Sequence, residues 1–149
     1  METSRIVRNE IWENPMVMEK MSPEDKYFYL YLLANSETTP IGIYKITVKQ
    51  MAFDLGYSID GVLLLLNRFI KHHKLIRYNT KTRELAIKHW GKYLPNDGGK
   101  PLRDCLSSEL KDIDDHSLIF NVSESIHKQD IRSLYESFFE PPSTKVDGF

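Results

Sequence analysis

The chain has 149 residues, 41% of them hydrophobic and 28% charged, with 20 basic and 21 acidic side chains. That size and balance suit one ordinary domain with a core, and they exclude a disordered composition and a nucleic-acid binder driven by overall charge. A single cysteine excludes an intramolecular disulfide and points to a reducing compartment, and no apolar run approaches the length of a membrane span.

The opening METSRIVRNEIW lacks the apolar middle of a signal peptide, so a cytoplasmic protein without a membrane contact is expected. Pro15 interrupts the first segment, and Ile11, Trp12, Met16 and Met18 are expected to dock on a core. In SPEDKYFYLYLLANSETTP, Ser22 is a helix N-cap, Pro23 suits the first helical position, and Glu24 and Asp25 complement the helix dipole. Tyr27, Leu30, Tyr31 and Ala34 recur at helical spacing, widened by Phe28, Leu32 and Leu33, which predicts a largely buried helix. IGIYKI reads as a short strand. TVKQMAFDLGYS is a second helix, capped by Thr47, lined by Val48, Met51, Ala52 and Leu55, and stopped at Gly56. Ser58 caps a third helix almost at once, which is helix-turn-helix spacing.

On the third helix, Leu65, Leu66, Phe69 and His73 fall within about 60° of Val62 at roughly 100° per residue, with Leu63 and Ile70 at the flank. The opposite side presents Asp60, Leu64, Asn67, Arg68 and Lys71. LIRYNTKTRELAIKHW then alternates as two strands around NTKT, with Lys81 and Arg83 at or beside the tip of a hairpin. After Trp90 a loop leads to a helix opened by Pro101 and striped by Leu102, Leu106, Leu110 and Ile113, where Cys105 is expected to be a buried small hydrophobe. Further helical segments carry Leu118, Ile119, Val122 and Ile126, then Ile131, Leu134, Tyr135 and Phe138. The end, EPPSTKVDGF, is expected to lack regular structure.

The expected class is mainly α with a small β-hairpin wing: a winged helix-turn-helix over 1–92, a linker over 93–100, a helical extension over 101–139 and a tail over 140–149. The segment from Arg68 to Lys92 holds eight Lys or Arg residues against one acid, Glu84. In a winged helix the last helix enters the DNA major groove and the wing reaches flanking phosphates, where cations release condensed counterions. The candidate DNA-binding residues are therefore Arg68, Lys71, Lys81 and Arg83, with Lys49, Asn67, Lys74 and Lys88 beside them. Leu64, apolar at the centre of the outer face, fits a thymine methyl, an ordinary exposed leucine or a protein contact equally.

No chemistry is expected. His72 and His73 diverge on a helix, the other histidines are scattered, and one cysteine makes no zinc pair. NDGGKP lacks the spacing and hydroxyl of a phosphate loop. Neither a catalytic group nor a cofactor nor a metal is read from these residues.

MSPEDKYFYLYLLAN, GIYKI, the A-x-x-L-G of MAFDLGYS and LIRYNTKTRELAIKHWGKY together resemble the DnaD-like winged-helix N-terminal domain of phage and prophage replication initiators, the replisome organisers. GGKPLRDCLSSELKDIDDHSLI is similar to the helical segment that follows the wing there. The resemblance covers roughly residues 5 to 138 and implies binding of duplex DNA at an origin, recruitment of a replicative helicase or helicase loader, homo-oligomerisation and no catalysis. Family members usually continue into a second helical domain, which has no counterpart in this sequence. Two other readings remain open: a winged helix that serves protein interaction in replisome assembly, and a transcriptional repressor.

Overall fold

The computed structural model describes residues 4–94 and 98–139, so the expected tail and the middle of the expected linker lie outside the described residues. The fold is mainly helical with one small three-stranded antiparallel sheet. Six α-helices appear among the described residues: α1 (Pro23–Ala34), α2 (Val48–Leu55), α3 (Ile59–Asn67), α4 (Gly99–Leu110), α5 (His116–Ser123) and α6 (Gln129–Glu136). The strands are β1 (Ile43–Lys45), β2 (Ile76–Asn79) and β3 (Glu84–Ile87), in the order β1-β3-β2. No helix among the described residues is long and apolar enough to cross a membrane.

The chain falls into two compact units, one made of the segment up to Thr38 with Ile46–Lys74, the other of Thr39–Lys45 with everything from Leu75 onward. The whole sheet belongs with α4, α5 and α6, because its middle strand is covered by α5. The fourth helix also begins two residues earlier than expected, at Gly99, with Pro101 third in it.

In the first unit each helix begins as its sequence dictates. The Ser22 hydroxyl accepts from the Asp25 N–H and the Asp25 carboxylate accepts from the Ser22 N–H, a reciprocal capping box. Thr47 caps α2 through the Gln50 N–H, and Ser58 caps α3 through the Gly61 N–H. Between them Gly56 takes φ +78°, a left-handed conformation that costs a glycine little. Phe28, Leu32, Met51, Val62 and Phe69 form the centre of this core, and the Phe28 and Phe69 rings meet edge to face at 5.1 Å.

The second unit is built around β3. Its four residues are all buried, whereas the sequence alternation had assigned them two faces. The reason is that β1 and β2 flank the strand while α5 packs on it. Tyr135 of α6 is fully buried and donates its hydroxyl to the Ile41 carbonyl at 3.1 Å, and burial pushes its ionisation far upward. The Trp90 indole donates to the Pro40 carbonyl at 2.8 Å and lies against Gly42. Cys105 is exposed, contrary to expectation, because α4 turns only Leu106 and Leu110 fully inward and an adjacent position lies about 100° away.

Gly42 combines φ +80° with a site where an added Cβ would sit 2.3 Å from Trp90 Cγ. Gly42→Ala is therefore expected to destabilise the protein by about 2–3 kcal/mol through overpacking and backbone strain. Urea denaturation checks this, with a lower midpoint at unchanged slope as the expected result.

Candidate nucleic-acid interface

The outer face of α3 carries Asp60, Leu64 and Asn67 at i, i+4 and i+7, all exposed, while Val62, Leu65 and Leu66 are buried. Beyond Asn67 the helix widens, with the His73 N–H donating to the Arg68 carbonyl five residues back at 2.9 Å. Lys71 is exposed on this final turn, Lys74 just beyond it, and Lys49 on α2. Leu64 is 67% exposed, and its apolar neighbours Leu63 and Ile59 and the α2 residue Phe53, at 84%, also face out.

Arg68 behaves differently from the other cations. Its guanidinium is bonded to the Asp25 carboxylate, whose second oxygen is 3.1 Å from His73 Nε2. Asp25 and His73 are both buried. Burial alone would raise the Asp25 carboxyl, but hydrogen bonds from His73, Arg68 and the Ser22 N–H, with the Arg68 charge, hold it below the ordinary aspartate value. One carboxylate thus caps α1 and ties the end of α3 to it. Arg68, expected as a free DNA contact, has one edge engaged inside its own unit; its side chain is 41% exposed.

The second unit presents the hairpin. β2 and β3 pair in register from Ile76 opposite Ile87 to Asn79 opposite Glu84, leaving Thr80–Arg83 as the turn. The Asn79 side-chain oxygen accepts from the Lys81 and Thr82 N–H groups, and the Arg83 N–H returns to the Asn79 carbonyl at 2.7 Å. Lys81 and Arg83 are exposed, Lys88 is half-buried, and Arg77, which sequence reasoning passed over, is exposed on β2. Lys74 and Arg83 are the two non-glycine residues with positive φ among the described residues.

Charges shape the surroundings. Burial, then Lys92 and Lys88, push the His89 imidazole below its ordinary value, so it stays neutral near pH 7. Burial pushes the Tyr78 phenol up against the opposing pull of Arg83. Glu84, the one acid of the basic segment, is fully buried in β3, where its two oxygens accept from the Asp114 and Asp115 N–H groups at 2.7 and 2.9 Å. Among the described residues no ion pair involves Lys49, Lys71, Lys74, Lys81, Arg83 or Lys88. The first three lie in one unit with Leu64, Asn67 and Arg68; Lys81, Arg83 and Lys88 lie in the other.

Because the folded Asp25 value is depressed, the stability it contributes is fully present above the ordinary aspartate value and is lost as pH falls through the lower folded value. Asp25→Asn is expected to cost about 2 kcal/mol at neutral pH and to flatten the acid limb of stability against pH. Thermal melts from pH 2 to 7 on both proteins check this. An acid limb of equal steepness in the variant would assign acid sensitivity elsewhere.

No family model, curated protein or solved structure matches this chain.

Proposed function

We propose that the protein is a winged helix that binds duplex DNA, with the outer face of α3 at the major groove and the hairpin cations on phosphates. The observation that carries this reading is the disposal of Glu84. With that carboxylate buried, every charged side chain that the segment Arg68–Lys92 offers to solvent is a cation. Such a run of exposed cations in a chain of net charge −1 suits a polyanion, whose binding releases counterions. The element order α1, β1, α2, α3, β2, β3 is that of a winged helix.

Lys71, Lys74, Lys81 and Arg83 are the principal contacts in this reading, and Lys49, Asn67 and Lys88 are secondary. Arg68 contributes only its free edge. The sequence resemblance sets this activity in a phage or prophage replication initiator of the bacterial cytoplasm, with a helicase or helicase loader as partner; a repressor would use the same surface on a different site. A second reading is favoured by the outward apolar group Phe53, Ile59, Leu63 and Leu64, which suits self-association or a protein partner.

Lys71→Glu combined with Lys81→Glu is expected to weaken binding to a mixed-sequence duplex at least about tenfold near 0.1 M salt and to flatten its salt dependence. Arg68 is left intact because a carboxylate there would face buried Asp25. Fluorescence anisotropy at several salt concentrations measures both quantities, and parental affinity in the double variant would refute DNA binding by these elements. Sedimentation of Leu64→Gln tests the second reading: loss of concentration-dependent mass would place self-association at this patch, and a parent that is monomeric throughout would remove self-association.

A further inference from the structure

The Asn79 amide is used from both ends. Its oxygen accepts two backbone N–H groups of the hairpin tip, from Lys81 at 2.8 Å and Thr82 at 3.1 Å. Its nitrogen donates to Asp115 Oδ2 at 2.7 Å. Asp115 is the N-cap of α5, where its other oxygen accepts from the Ser117 N–H at 3.0 Å and the Ser117 hydroxyl at 2.6 Å. The Asp115 N–H is in turn held by buried Glu84. Burial would raise the Asp115 carboxyl, but the bonds from Ser117 and Asn79, with the His116 charge, keep it low and ionised. All of these groups lie in the second unit.

We propose that Asp115 is a positioning residue for the hairpin's DNA contact, acting through Asn79 to fix the tip that carries Lys81 and Arg83. This rests on the DNA-binding reading above. The chemistry admits one arrangement. The Asn79 oxygen must face two donors and its nitrogen one acceptor, so the amide cannot flip without setting its NH2 against the Lys81 and Thr82 N–H groups. A tip ordered before binding loses less conformational entropy when its cations reach phosphates. The start of α5, distant in sequence from the basic segment, is thereby part of the DNA-binding apparatus.

Asp115→Asn separates this from simple electrostatics. Asparagine caps helices as well as aspartate does, so α5 keeps its start. With its oxygen kept by Ser117, its NH2 faces the NH2 of Asn79, two donors with no acceptor between them, and the bond to Asn79 is lost. Removing a negative charge by itself tightens binding to DNA, whereas loss of positioning weakens it. The two effects have opposite signs.

The experiment uses the full chain, a mixed-sequence duplex near 0.15 M salt, and amide hydrogen exchange read by NMR. Asp115→Asn is expected to bind about fivefold more weakly despite losing a negative charge, with faster exchange at the Lys81 and Thr82 amides. Adding Asn79→Asp should restore both, because a carboxylate at position 79 accepts from the tip and from the new amide alike. An Asp115→Asn protein that binds as tightly as the parent, or keeps its tip amides protected, overturns the inference while leaving the DNA reading intact. Parental affinity in Lys81→Ala with Arg83→Ala would instead remove the hairpin from DNA binding, and this inference with it.

Discussion

A fully buried carboxylate that makes no ion pair among the described residues must be satisfied by hydrogen bonds or it will not be tolerated. Glu84 meets that constraint in the middle strand of the sheet by accepting from the N–H groups of Asp114 and Asp115, the two residues just before α5. The bond orders the second unit. It ties the start of α5 to the middle strand. It also withdraws the one acid of the basic segment from solvent. Fold and surface charge therefore have a common cause, and replacing the carboxylate would disturb both together.

The first unit shows the same economy at Asp25. A capping residue on the first turn of α1 is also the acceptor for Arg68 and His73 at the end of α3. A buried carboxylate shared among three donors specifies geometry more sharply than apolar packing would, since removing any one donor leaves the others poorly matched. It also explains why one cation of the basic segment differs from its neighbours. Arg68 is partly structural, and the exposed lysines around it are free of that duty.

Much of this is legible in the sequence. Ser22, Thr47 and Ser58 announce three helix starts, Gly56 announces a stop, and the wheel of α3 sorts Val62, Leu65, Leu66 and Phe69 from Leu64, Asn67 and Lys71 correctly. What escaped depends on contacts far apart in sequence. The alternation of β3 misleads because a four-residue run cannot show that a helix far along the chain packs on it. Cys105 was assigned inward beside Leu106, yet the stripe on α4 is too narrow to include it. Asn79 looked like a turn residue and Glu84 like an exception to a charge pattern. The buried pair at Asp25 left one usable signal: His73 on the apolar side of the α3 wheel, a polar ring that needs a partner, with an aspartate at the third position of a capped helix as the natural candidate.

The placement of β1 has a consequence for how the chain is made. The strand leaves the ribosome well before β3, its partner through Ile43 opposite Ala86, and the Tyr135 hydroxyl that seals the Ile41 carbonyl follows 94 positions later. The helices of the first unit are complete by Lys74 and can settle while synthesis continues. Ile41, Ile43 and Tyr44 must meanwhile wait uncovered as a short unpaired edge. The brevity of that strand, three residues, limits what a stray neighbour could pair with during the delay.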